Sequence, residues 1–306
     1  MKMESFFDMV KEELQRRMGE DVTITLTHVT KNNGIIYDGL SVSRPGSRIC
    51  PNIYLEHYYD RYMNGESVER IAGEMERLCE DTHVEGLMDL NDFSSLDKIS
   101  DRIVFRLVNT DKNKGLLEQI PHEPYMDLSM VFCYILPGSE EDGISASVLI
   151  RNSHLEMWDT DKEHIKELAM ENTPRLLPLS VTKMSNILER IMPCGDALDE
   201  MDEQMPMYVV SNTRMINGAS VLAYPGAMSD MAEKLGESLY IIPSSIHEVI
   251  VMPDKGAMEG LTSMIKEVNE TTVDPKETLA DHPYYYDIKE DRIMSVFMEK
   301  SGYGEK

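Results

Sequence analysis

Apolar residues recur every four positions at Phe6, Val10, Leu14 and Met18, with charged residues between them, which predicts an amphipathic first helix ended by Gly19. The period then falls to two. Val22, Ile24, Leu26 and His28 alternate with Thr23, Thr25 and Thr27, the pattern of a strand with one apolar and one hydroxyl face. Lys31-Asn32-Asn33-Gly34 follows. Asn-Gly accepts positive φ at both central turn positions, so a hairpin is expected, with its second strand running from Ile35 to Val42. Pro45, Gly46 and Pro51 mark an irregular bridge. Helical spacing returns at Leu55, Tyr58, Tyr59 and Tyr62, and Ser67 can cap a further helix carrying Val68, Ile71, Met75 and Leu78.

The polar and acidic residues from Glu80 to Asp97 read as a seam. They separate a helix-hairpin-helix module over residues 1–92 from a larger domain over 93–290, which a charged tail over 291–306 follows. Within the larger domain a helix is expected through Ile99, Ile103 and Leu107. Two strands, Met130 to Leu136 and Ile144 to Ile150, are joined by the acidic loop Pro137 to Gly143. Thr160 with Glu163 forms a capping box for a helix that Asn172-Thr173-Pro174 closes. Val181, Met184, Leu188 and Ile191 make another helix. The stretch Met207 to Asn269 is the densest in pattern, with four candidate strands, among them Gly218 to Tyr224, and two helices. The fold class read from these periods is α+β: a mixed or antiparallel sheet with helices on one side, built from recurring ββα units.

One polar cluster sits boxed between apolar runs: Ser244, Ser245, His247 and Glu248. A hydrolase could use Ser244 or Ser245 as nucleophile with His247 as base, provided a third group orients the ring. Glu248 is adjacent to His247 and in a strand would point to the opposite face, so Asp127 is the remote candidate for that acid. The plainer reading is a Pro-Ser-Ser turn whose hydroxyls bond local backbone. His122 and Glu123 lie between Pro121 and Pro124, an extended segment that suits ligand contact or a simple connector. Asn32 and Asn33 in their turn, Asn172 and Asn212 in Asn-Thr pairs, and Glu248 complete the candidate binding residues. Glu56 and Asp60 beside Arg61 read as a solvated helical face, and Asp159, Asp161 and Glu163 as acids complementing a helix N-terminus. No metal site is expected from either group.

Charge narrows the partners. With 30 basic and 55 acidic residues in 306, the formal net charge is -25, which disfavours nonspecific contact with nucleic acid or anionic membranes. Solubility accounts for it; mimicry of a nucleic acid would need the carboxylates crowded on one face, whereas they are spread from Glu4 to Glu305. Cys50, Cys79, Cys133 and Cys194 form no CxxC pair, which fits free thiols in a reducing compartment. The N-terminus lacks the apolar run of a signal peptide and no stretch approaches the roughly 18 apolar residues of a membrane span, so a cytoplasmic location is expected. No phosphate-cradling GxxxxGK[ST], HExxH or GxSxG occurs, which points away from the common enzymatic devices with local signatures. Three readings follow: a non-catalytic binding or adaptor protein with a protein partner, a hydrolase at Ser244 or Ser245, and an acidic mimic binding a basic protein.

Lys31 to Gly34, Pro51 to Glu66, the connector Asn113 to Asp127, Glu171 to Leu176, Met207 to Arg214, Leu239 to Ile250 and Glu267 to Val273 together resemble a bacterial family, the domain-of-unknown-function family numbered 5688. These segments span almost the whole chain. The resemblance implies a bacterial cytoplasmic protein without a known cofactor, and it carries no assigned activity.

Overall fold

In the computed structural model, which describes residues 3–43, 52–81, 90–136, 147–191, 204–256 and 260–296, the four-residue stripe forms a helix, Met3–Met18, that buries Phe6, Phe7, Val10 and Leu14. Gly19 closes it at φ +89°, a left-handed conformation costly to a residue with a Cβ, and donates its N–H to the Gln15 carbonyl. Strands β1 (Thr23–Thr30) and β2 (Ile36–Ser43) pair antiparallel from Thr23↔Ser43 to Thr30↔Ile36. Asn33 and Gly34 hold positive φ in the turn between them. A short β3 (Asn52–Tyr54) extends the sheet along β2. Two helices, Glu56–Met63 and Val68–Asp81, complete this part. Its core gathers Phe6, Leu14, Leu40, Leu55, Ile71 and Met75, all fully buried, each contributing about 1.5–3 kcal/mol of apolar transfer. Arg61 pairs with both Glu66 and Glu74 at 2.7 Å, tying the two helices together.

The chain divides into two compact units, Met1–Phe93 and Ser94–Lys306. In the second, the helix expected through Ile99, Ile103 and Leu107 ends at Ile99, a 3-10 turn follows, and β4 (Ile103–Asn109) begins. Ile103, Val104, Phe105, Leu107 and Val108 are all buried, so this strand is covered on both faces. Its apolar run is therefore broken by Arg106 alone before Asn109, and the four-residue spacing within it is incidental. β4 pairs with β6 (Leu128–Ile135), buried at every position, which also pairs with β5 (His122–Tyr125) and β7 (Ser147–Leu149).

The helix Lys162–Leu176 is capped by Asp161, whose carboxylate accepts the His164 N–H at 2.9 Å; Thr160 is not the cap. It runs through Pro174 to Leu176, one turn beyond the expected close. Val181 belongs to β8 (Leu179–Lys183), and only then does the helix Met184–Ile191 start. β8 pairs with β9 (Tyr208–Asn212) in an all-antiparallel sheet that continues with β10 (Leu239–Pro243), β11 (Val249–Pro253), β12 (Tyr284–Asp287) and β13 (Arg292–Ser295). The spatial order is β13-β12-β10-β11-β9-β8.

Three expectations change here. Gly218–Ala223 is a 3-10 helix with every residue buried, so the segment around 207–235 is not a ββα unit. Its run of Val221, Leu222 and Ala223 is apolar because it is enclosed, and enclosure does not select strand over helix. The start of the expected tail is β13, paired from Asp287↔Arg292 to Tyr284↔Ser295. The class is α+β with antiparallel sheets, and helices meet the six-stranded sheet from both faces. Leu261 and Ile265 of the helix Leu261–Thr271 pack on Ile242 and Met252. The helix Ala227–Leu235 packs against β12 on the opposite side, the side of Tyr286 and its register partner Leu239. The bridge at Pro45, Gly46 and Pro51, the acidic loop Pro137 to Gly143, and Cys50 and Cys194 lie outside the described residues.

Candidate functional site

The cluster from Ser244 to Glu248 is the connection between β10 and β11, opening after the last register pair, Pro243↔Val249. Its polar groups are occupied by one another. The Ser245 N–H donates to the Glu248 carbonyl at 3.2 Å, the His247 N–H donates to Ser245 Oγ at 3.0 Å, and Ser244 Oγ donates to Glu248 Oε1 at 3.3 Å. Serine hydroxyls that bond backbone two residues on make such turns without help from the rest of the fold.

Three other segments hold the turn in place. Ser211 Oγ donates to the His247 carbonyl at 2.7 Å, the Ala219 N–H donates to the Ile246 carbonyl at 3.1 Å, and the Ile246 N–H donates to the Glu277 carbonyl at 2.7 Å. The Asn217 N–H points at His247 Nδ1, 3.2 Å away, so that nitrogen is the acceptor and the ring proton sits on Nε2. Nε2 faces Glu277 Oε1 at 3.8 Å. Serine activation requires a ring nitrogen within hydrogen-bond reach of the hydroxyl. Here both hydroxyls bond to partners other than the imidazole.

Asp127 takes part in a different cluster. It lies in the turn between β5 and β6, after Met126 at φ 57°, and accepts hydrogen bonds from His282 Nε2 at 2.9 Å, Ser295 Oγ at 2.9 Å and Tyr284 OH at 3.4 Å. His282 Nδ1 lies 3.0 Å from the Pro283 carbonyl. Both ring nitrogens thus face acceptors, the environment of a doubly protonated imidazolium. Burial alone pulls the His282 pKa down, but its bonds to Asp127 and the Pro283 carbonyl more than offset this and leave it raised. Burial likewise pushes the Asp127 carboxyl up, and the His282 and Ser295 bonds reverse that to a net lowering. Serine, histidine and aspartate are all present, but Ser295 bonds the carboxylate. The cluster joins the turn after β5 to the β12–β13 ribbon, a link between sheets. His282, Tyr284 and Ser295 were not among the sequence candidates; the one available signal was a histidine set between Asp281 and Pro283 ahead of three tyrosines.

The remaining candidates are dispersed. Asn172 is buried, with Nδ2 donating to the carbonyls of Ser100 and Ile103 and Oδ1 accepting from Arg175. Asn212 is fully buried and closes a local turn through the Ile216 carbonyl and the Arg214 N–H. Asn32 and Asn33 shape the β1–β2 turn. His122 Nδ1 approaches the Ile120 carbonyl at 3.2 Å. Glu123 bridges Lys162 at 2.7 Å and Lys166 at 2.9 Å, and the two ammonium groups hold its carboxyl at about 2. All three side chains remain about a third exposed, so Glu123→Gln is expected to cost only about 0.5–1 kcal/mol at neutral pH after screening. A depressed carboxyl contributes above its unfolded value and loses that contribution as pH falls toward the folded one. The wild-type advantage over Glu123→Gln in urea denaturation should therefore vanish between about pH 4.5 and 2. A constant difference across that range would remove the ion pairs as its cause.

Among the described residues no group of three His, Cys, Asp or Glu side chains could hold a metal ion, and no helix is long and apolar enough to cross a membrane. Fold and geometry together define an α+β protein whose late polar cluster is a docked hairpin turn. The chain belongs to the Family of unknown function (DUF5688), which it matches over residues 3–288. No curated protein and no solved structure matches it.

Proposed function

We propose that this is a non-catalytic binding or adaptor protein of the bacterial cytoplasm, engaging a protein partner at strand β8 and the adjacent Pro243 to Glu248 turn. The observation that carries the reading is the edge of the six-stranded sheet. Among the described residues β8 ends the strand order, and its residues Leu179 and Val181 are 38% and 43% exposed, with Ile191 on the following helix at 69%. An edge strand offers unpaired backbone groups to another chain, and exposed apolar side chains along it favour such pairing. The registers Leu179↔Asn212 and Val249↔Val210 set the start of β8 and the turn at the same end of the sheet. No cofactor enters the proposal.

The hydrolase alternative, with Ser244 or Ser245 and His247, finds little support in hydroxyls bonded to Glu248 and to backbone. The mimic alternative is weakened because Glu13, Glu66, Glu74 and Glu123 are already paired with bases. A fluorophosphonate probe and a photo-crosslinker placed at Val181 separate the readings in one set of samples. We expect no serine-dependent labelling, and a crosslinked protein species that Leu179→Lys abolishes. Labelling of wild type that disappears in Ser244→Ala or Ser245→Ala would overturn the proposal in favour of the hydrolase.

A further inference from the structure

Among the described residues β8 pairs on one side only, and the hydrogen bonds at its two ends show which backbone groups face the other way. The Thr213 N–H donates to the Pro178 carbonyl at 2.9 Å and the Met184 N–H to the Met207 carbonyl at 2.8 Å, both continuing the register of the β8–β9 pair. Alternation along an antiparallel ladder then turns the backbone of Ser180 and Thr182 toward β9, and that of Leu179 and Val181 toward the edge. Pro178 therefore costs the edge no donor. The same two residues carry an apolar face past the end of its cover. Ile241, Val251, Val249 and Val210 are successive register partners on that face and fully buried, whereas Val181, the next, is 43% exposed. The opposite edge, β13, opens on the exposed charges Glu290, Asp291 and Arg292, a common guard against pairing. The sequence from Leu179 to Thr182 holds no charge.

We infer that the partner at β8 is a second copy of this chain, its own β8 paired antiparallel about a two-fold axis at Ser180; this rests on the reading of β8 as the engaged edge. In that register Leu179 of each copy lies opposite Val181 of the other, and each such pair exchanges the outward N–H and C=O groups. The exposed apolar side chains of both strands then meet on one face, while Ser180 meets Ser180 and Thr182 meets Pro178 on the other. No charged side chain opposes a like one. Charge also selects the occupant. Residues 179–191 hold one acid, Glu189, against the bases Lys183 and Arg190, in a chain of net charge -25. A basic protein would be drawn to the acidic surface elsewhere, whereas two copies of this chain repel one another except where each is poor in acid. Glu189 and Arg190 are both exposed and of opposite sign, as a self-complementary contact requires. A five-residue strand spans about 17 Å, so the strands alone fall short of the roughly 800 Å² per copy of a standard interface. Ile191, 69% exposed on the following helix, adds apolar area, and the dimer is weak and concentration-dependent.

The test is sedimentation of the purified full chain over concentration and salt. The expected result is a monomer–dimer equilibrium that strengthens as sodium chloride is raised, because screening relieves the repulsion between two acidic chains; a contact with a basic partner would weaken instead. Leu179→Lys and Val181→Glu should each weaken the dimer at least about tenfold. Both side chains are substantially exposed, so either variant should melt in dilute solution within a few degrees of wild type. Mixing the two variants should recover association, since the introduced ammonium then lies opposite the introduced carboxylate. A wild type that stays monomeric up to about 1 mM at every salt concentration, a dimer that both variants leave intact, or a mixture no better than either variant would overturn the inference. The Val181 photo-crosslinker separates it from the reading on which it rests. A monomeric wild type that still crosslinks to a different protein loses the second copy and keeps the adaptor, whereas the absence of any crosslinked species removes both.

Discussion

Replacing Gly218 with alanine is expected to destabilise the second unit by about 3 kcal/mol, the upper end for overpacking a filled interior. A Cβ at that position would fall within van der Waals contact of Ser211 Oγ and the His247 carbonyl oxygen, and 2.9 Å from the Asn212 nitrogen. Two of these three atoms are backbone, and the His247 carbonyl is already fixed by the Ser211 hydroxyl. Relief would require β9 and the Ser244 to Glu248 turn to separate, breaking the contacts that dock the turn. Gly115→Ala is the control. Gly115 lies in the helical turn Lys114–Leu117 with nothing within 4 Å of an added Cβ, so alanine there should be stabilising by about 0.5–1 kcal/mol. Adding Ser211→Ala to Gly218→Ala removes one obstruction and should restore only part of the loss, since the carbonyl remains. Urea midpoints measure all of this, and an unchanged midpoint for Gly218→Ala would mean that the turn does not pack on β9 as described.

That close approach also explains what could be read from the chain in advance. Periodicity found the Met3–Met18 helix and the helix Val68–Asp81, because each has one face in water and one in the core, and turn chemistry found the Asn-Gly turn. It failed where both faces are covered. The segments Ile103–Asn109 and Gly218–Ala223 are mostly apolar and mostly buried, and such a run does not distinguish strand, 3-10 helix and α-helix. The turn at Ser244 was legible because its chemistry is local, with Pro243, two serines and a hydrogen bond spanning two residues. The Asp127 cluster was not. Its two central residues are 155 positions apart in the chain, and only the crossing of two sheets brings them together.

Asp127→Asn is expected to cost about 2–3 kcal/mol near pH 6, because it leaves the largely buried His282 cation without its anion and keeps one acceptor oxygen where His282 and Ser295 each use one. The pH dependence is the sharper signature. His282 has a raised pKa in the folded protein, so its contribution is complete below its ordinary value of 6.5 and is lost as pH rises through the folded value. Asp127 has a lowered pKa, so its contribution is complete above 3.8 and is lost as pH falls through the folded value. The stability difference between wild type and Asp127→Asn should therefore form a plateau between about pH 4 and 6.5 and decline on both sides. His282→Gln should give a similar loss, and the double variant should cost clearly less than the sum, since each single change already breaks the same bond. Tyr284 reports locally on the cluster. Burial, the Asp127 charge and its hydrogen bond raise the phenol pKa, so in Asp127→Asn it should ionise at lower pH than in wild type. Additive losses with a difference that is flat in pH would mean that Asp127 and His282 act independently, and the link between the two sheets would then rest on neighbouring contacts such as the bond from Asn109 Nδ2 to the Leu279 carbonyl and the Lys112–Asp281 ion pair.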